Sequence, residues 1–484
     1  MKSFFTKNWF LFSLSILLIY RILIALSFKP ELINGETNNI WSAINFVHGK
    51  SLYSNPEELP LEIFQYTPLS QFPVIFFAKV LPKNNPYYVY LIWVFGRFLQ
   101  ILYNLSVAFL ISYTLKTCFD ISKKYRQLFI ILFLGGLTHA SFSIRPDSLQ
   151  MLLVVLVFTF FSIGYFRHNR YFLVLSALIV GVAVLAKQDG FLIMFPLTAF
   201  LLFKFEWKKM ILFSLLSIGS IIFFISLFSL FFGEYFFISI TKGISNQPLL
   251  SQVIVTFYKL INLYFIHFIF IVICFYLCFK NKWYLNDQIQ FFLVIMICYF
   301  IFGVLTSSKI GSWVNYYSLF FLFSFIFTVK IINLHFDSKQ STTLYLQLLV
   351  SITVSLFVYR QTFHYLMPYL KYNENKKYYL EKYDEFQLIK NIINPEKSDN
   401  VLVMNYLQRN FFAVNTLMVN IEYYWISKFD YSKIKNQKIK NIKFIVKNKN
   451  EQPVVQSLCK FFKVDTNTYV QIFENKNLEI LKLK

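Results

Sequence analysis

Six charged residues stand where long apolar stretches end: Glu36, Arg145, Asp147, Lys187, Asp189 and Lys309. A carboxylate held at such a position can take the proton of a hydroxyl or amine. Arginine and lysine can bind a phosphate through charge-assisted hydrogen bonds. Singly, each residue has an ordinary explanation. A cation at the end of an apolar helix often anchors it at the interface, and Glu36, just before a helix expected over Thr37–Val47, can cap that helix and favour its dipole. Together, residues from separate connections converging on one side of a membrane favour a shared polar site.

The elements that must position them are membrane spans. Hydrophobic residues make up 57% of the 484 positions and charged residues 15%, against about 45–50% and about 25% in soluble domains. Apolar runs recur from Phe10 to Phe357, many near the roughly 20 residues that cross a bilayer. The net charge of +23 gathers in short clusters between the runs: Lys116 to Arg126, Arg167 and Arg170, Lys204 to Lys209, Lys280 and Lys282, and Lys330 and Lys339. This is positive-inside patterning, so the charge orients the chain and no nucleic-acid partner is implied. The five cysteines show neither a disulfide framework nor a zinc spacing.

Eleven spans follow, starting with a first helix that is retained despite Arg21. Residues 29–85 form the first external loop, with interfacial helices over Thr37–Val47 and Leu69–Leu81. Residues 143–148 make a tight external turn in which Pro146 opens the next helix. The last span is expected over Leu344–Tyr359. Long apolar runs stop near Arg360. Strands over Val401–Met404, Lys443–Val446 and Tyr469–Phe473, with a helix over Val454–Phe462, predict a small soluble α/β domain. The fold class is thus an all-α polytopic membrane protein of about eleven transmembrane helices (residues 1–361), followed by an extracytoplasmic α/β domain (362–484). No internal repeat is visible.

These residues carry a family resemblance. Gly35-Glu36 is followed by a helix ending in Val47-His48-Gly49-Lys50-Ser51-Leu52-Tyr53, and then by Tyr66-Thr67-Pro68-Leu69. That order resembles the first external loop of the GT-C glycosyltransferases, in the group of the protein O-mannosyltransferases and lipid A aminoarabinose transferases. Arg97, Arg145-Pro146-Asp147-Ser148-Leu149, Ala186-Lys187-Gln188-Asp189-Gly190 and the stretch from Gly311 to Tyr317, which holds Tyr316, are similar to further features of bacterial members. The resemblance implies a polyprenyl-phosphate sugar donor, an inverting single displacement and an acidic base in the first loop, a position that Glu36 matches. Arg145, Lys187 and Lys309 would hold the donor phosphate, with Tyr66, Arg97, Asp147, Gln188, Asp189 and Tyr316 as further site residues. Where the family often shows an acidic pair, Thr37 and Asn38 follow Glu36. A divalent metal is therefore left open, and no other cofactor is implied.

The implied partners are the lipid-linked donor, membrane lipid and an acceptor that is a glycan, a lipid or a protein. The implied place is a bacterial plasma membrane with the site on its outer face. A transporter or flippase is the alternative from another class, but it would place charges near the bilayer midplane, and here they lie at span ends. A surface-polysaccharide polymerase or ligase usually has its largest external loop late in the chain, whereas here the longest comes first.

Overall fold

A computed structural model describes residues 2–29, 36–55, 64–137, 139–242, 248–309, 312, 314–336, 367–393, 401–403, 406–412, 416–417, 442–449 and 466–484. The helices run in the order α1 (Lys2–Ala25), α2 (Glu36–Val47), α3 (Phe72–Val80), α4 (Tyr88–Thr117), α5 (Lys123–Gly136), α6 (Asp147–Phe166) and α7 (Arg170–Ala186). They continue with α8 (Met194–Phe203), α9 (Trp207–Phe232), α10 (Glu234–Lys242), α11 (Leu250–Lys280), α12 (Asp287–Ser307) and α13 (Ser318–Phe336). Then come α14 (Met367–Leu370), α15 (Tyr372–Ile393) and α16 (Tyr406–Phe412).

Among the described residues, seven helical stretches are long and apolar enough to cross a bilayer, and α7 and the stretch 188–203 are shorter apolar helices. The chain is an integral membrane protein. The ten expected spans that fall on described residues all appear as helices; the eleventh, Leu344–Tyr359, lies outside them, as does the expected boundary at 361/362.

The chain divides into two compact units. The first takes residues 1–25, 98–226 and 248–368. Its core is built on phenylalanine: Phe158 lies 5.5 Å from Phe291, stacked at 12°, and Phe119 meets Phe292 at 4.6 Å. Helix α13 is buried on nearly every side, whereas α9 leaves most of its apolar surface outward, as a helix facing lipid does. Two cations inside the helical bundle, Arg21 and Lys330, find partners in the protein, because hydrocarbon offers none. Arg21 Nη2 donates to Leu134 O at 2.5 Å, with the guanidinium 4.7 Å from the centre of the Phe142 ring. Lys330 Nζ donates to Phe119 O and to Gln288 Oε1.

The second unit takes residues 26–97, 227–247 and 369–484. Helix α2, expected to show one apolar face, is buried on most of its circumference, with α3 and α16 packed on it. Phe28 stacks on Tyr90 at 3.7 Å and meets Tyr372 and Tyr379 edge-on. The Tyr379 hydroxyl donates to Pro86 O at 2.9 Å, so α15 is fastened to the start of α4.

The expected small α/β domain is here. Its strands are β1 (Val401–Val403), β2 (Thr416–Leu417), β3 (Phe444–Asn448), β4 (Tyr469–Glu474) and β5 (Leu478–Leu483), in the sheet order β2-β1-β3-β5-β4. β1 runs parallel to β2 and β3, and β5 antiparallel to β3 and β4. Ile389 and Ile393 of α15 cover Val401, Val403, Val446, Leu478 and Ile480. β2 and β5 go beyond the three strands expected from sequence, and the helix expected over Val454–Phe462 lies outside the described residues.

Candidate functional site

Each unit assembles one cluster of the charged residues singled out by sequence. In the first unit, α6 begins at Asp147 directly after Pro146, whose φ of −69° suits a helix start. That places Asp147 in the first turn, where the helix dipole favours a carboxylate. Helix α7 ends at Ala186; Lys187 is extended (φ −159°, ψ 141°) and a 3-10 turn over Gln188–Ile193 follows. The turn lies tight on α7, since a Cβ at Gly190 would stand 2.3 Å from Ala183 O. Only glycine permits that approach, and it brings Lys187 and Asp189 back over the helix end.

Lys187 Nζ lies 3.2 Å from Asp147 Oδ1 and 3.1 Å from Asp189 Oδ2, bridging the two carboxylates. Arg145 Nε stands 3.3 Å from Asp147 Oδ2, near enough for charge attraction but misaligned for a hydrogen bond. Asn315 Nδ2 donates to Asp147 Oδ1 at 2.9 Å, and Gln150 Nε2 donates to Asp189 Oδ1 at 2.8 Å. The Lys187 ammonium also lies 5.0 Å from the centre of the Tyr316 ring. Burial holds the Lys309 ammonium below the usual lysine value; Asp189 pulls it up and Lys187 pushes it further down. Pro248 pairs with Lys309 in an antiparallel bridge, and Leu249 N donates to Ser308 O, tying the Lys309 segment to the start of α11. Arg145, Asp147, Lys187, Asp189, Lys309 and Tyr316 thus form one cluster, with Gln188 half-buried in its turn.

In the second unit Glu36 opens α2 and is fully buried, as is Arg97. Arg97 Nε donates to Glu36 Oε1 at 3.0 Å and Nη2 to Oε2 at 2.8 Å, a two-pronged ion pair. The same guanidinium donates to the carbonyls of Ser27 and Lys29 at 2.9 and 2.8 Å. The carboxylate expected to serve as base is therefore held in a closed, charge-balanced pair. Tyr66 is buried nearby in sequence, its carbonyl accepting from the Tyr53 hydroxyl at 2.7 Å.

Sequence reasoning missed Gln150 and Asn315. Both are neutral amides beside apolar runs, and each becomes visible only through the acid it meets. Among the described residues no group of three or more His, Cys, Asp or Glu is placed to hold a metal ion.

No protein-family model and no curated protein matches the sequence. Solved structures do match. The crystal structure of ArnT from Cupriavidus metallidurans bound to undecaprenyl phosphate aligns over 98% of this chain and 98% of its own, with a TM-score of 0.61 at 12% identity. The apo state of ArnT aligns over the same shares, with a TM-score of 0.58 and 12% identity. The chain has the GT-C fold. At 12% identity the likeness is one of fold, and it runs through both the membrane helices and the C-terminal sheet of this chain.

Proposed function

We propose that this protein is a membrane glycosyltransferase that moves a sugar from a polyprenyl-phosphate donor to an acceptor outside the cytoplasm, by inverting single displacement. The observation that carries the reading is the end-to-end fold match to ArnT, a protein crystallised with undecaprenyl phosphate. The Arg145–Lys187–Lys309 cluster supports it, because a leaving phosphate needs fixed cations. Lys187 and Lys309 would contact the phosphate, while Asp147, braced by Asn315, holds Lys187 in place.

The resemblance assigns the base to Glu36, which the two-pronged Arg97 pair would orient. A second reading has one observation in its favour: the Asp189 side chain is 25% exposed and the Glu36 side chain 0%. A base must come within about 3 Å of the acceptor proton, and Asp189 is the more accessible of the two.

To test the reading, purified full-length protein is incubated with a set of radiolabelled polyprenyl-phosphate sugars. Release or transfer of one label is expected; binding and turnover of none overturns the proposal.

The outward orientation rests on the Lys/Arg clusters of the opposite connections. In a cysteine-free background, cysteine at Ser51 or at Lys476, both exposed, should react with an impermeant maleimide in intact cells or spheroplasts. Cysteine at exposed Lys208 should react only after lysis. The reverse pattern would place the site in the cytoplasm.

A further inference from the structure

The second unit holds a groove that the transfer chemistry does not use. It has a volume of about 660 Å3 and runs between one face of α15 and the turn joining β4 to β5. Asn373, Lys377, Leu380, Asp384 and Leu388 recur every three or four residues along the helix, which puts them on one face. From Asn373 to Leu388 that face spans roughly 22 Å at about 1.5 Å per residue, long enough for an oligomer rather than a single ring.

The opposite wall is Asn475 and Asn477, and it is built rigidly. Asn475 Oδ1 accepts from the backbone N–H groups of Asn477 and Leu478 at 2.8 and 2.7 Å, which fixes the turn. Asn477 Nδ2 reaches across to Glu381 Oε1 at 2.9 Å and Glu385 Oε1 at 3.3 Å. Beneath them Glu385 is buried, its other oxygen accepting from Lys382 at 2.8 Å and Gln408 at 2.6 Å. The walls are thus preformed, which lowers the ordering cost of binding.

The chemistry of the lining narrows the ligand. Lys376 and Lys377 stand against Glu381, Asp384 and Glu385, while Lys382 pairs with Glu385, so the local charge nearly cancels. A strongly charged ligand gains nothing here. The acids are not placed to hold a cation either, as no group of three or more acids or imidazoles among the described residues has that arrangement. What the groove offers a ligand is the ammonium groups of Lys376 and Lys377 and the Asn373 amide beside the Asp384 carboxylate, over Leu380 and Leu388. Sugar hydroxyls both donate and accept, and the C–H faces of their rings suit an apolar floor.

We infer that this groove binds a neutral oligosaccharide. That the saccharide is the acceptor of the transfer rests on the function proposed above; that the groove binds it does not.

The test titrates full-length protein, without lipid donor, with neutral tri- and tetrasaccharides of glucose, mannose, galactose and N-acetylglucosamine. Calcium ion and acidic and basic hexapeptides serve as the other probes. Binding of at least one oligosaccharide at millimolar concentration or below is expected. Asp384→Ala and Lys377→Ala, both at exposed positions, should each weaken it about tenfold or more, the loss of one hydrogen bond to a charged group. Their thermal unfolding midpoints should not move. No oligosaccharide binding, equal binding in both variants, or variant-sensitive binding of calcium or a peptide alone would each overturn the inference. Donor turnover without saccharide binding removes the groove and leaves the transferase; saccharide binding without donor turnover does the opposite.

Discussion

Neutralising Glu36 and Arg97 together is expected to return most of the stability that neutralising either one removes. Both side chains are buried, 0% and 1% exposed. Glu36→Gln strands a buried guanidinium and Arg97→Gln strands a buried carboxylate, and breaking such a pair on one side costs about 3–5 kcal/mol. Replacing both halves removes the unpaired buried charge that makes each single change costly, and two glutamine amides can hydrogen-bond each other, so Glu36→Gln/Arg97→Gln should unfold in detergent near the unmodified protein. Failure of the double variant to recover would show that Arg97 is needed chiefly for the Ser27 and Lys29 carbonyls it also holds. The same variant separates structure from chemistry. If Glu36 is the base, turnover of the labelled donor stays at least about a hundredfold down in a well-folded protein. If turnover recovers with stability, Glu36 is an anchor, and Asp189→Asn becomes the substitution expected to abolish transfer.

Lys187→Ala should weaken donor binding about ten- to a hundredfold, the range for hydrogen bonds to charged groups. The fold should survive, because Asp147 keeps Asn315 and Arg145 and Asp189 keeps Gln150. Adding Asp147→Asn restores the local charge without restoring the ammonium. Recovery of affinity in that double variant would mean that Lys187 acts only through charge, and continued loss that it contacts the phosphate. Lys309 adds a pH signature. A lysine whose value is lowered by burial carries its charge below that value and loses it earlier than usual as pH rises. Donor affinity should therefore fall on the alkaline side, and Lys309→Arg, which stays charged, should abolish the fall. A flat profile in the unmodified protein would take Lys309 out of the phosphate site.

The membrane architecture was legible because the bilayer leaves few alternatives: runs near twenty apolar residues with basic ends had to be helices, and the ten that fall on described residues are. The turn at Pro146 and the break at Lys187 were legible for local reasons, a restricted proline and charges that stop an apolar run. What could not be read was pairing across the chain. Glu36 and Arg97 are 61 positions apart and Asp147 and Asn315 are 168 apart, and nothing at either end of such a pair announces the other. Strand β5 was missed although Leu478-Glu479-Ile480 alternates in the manner of a strand; Leu481 directly after Ile480 breaks the alternation. The saccharide groove was invisible for a related reason. Its helical face is a scatter of Asn, Lys, Glu and Asp in a segment where those residues dominate, and only the turn at Asn475–Asn477 makes it a wall of something.

The spacing of the Asp147 contacts also sets a timetable. At about 5–20 residues per second, Lys187 is made roughly two to eight seconds after Asp147, being 40 positions later. Asn315, 168 positions later, follows Asp147 by roughly eight to thirty-four seconds. A newly inserted α6 thus carries a carboxylate at its tip long before the amide that finally braces it exists. Lys187 is the first distant group able to quiet that charge, arriving with the very next helical hairpin. From that point its ammonium can join Arg145 as a counter-ion to Asp147.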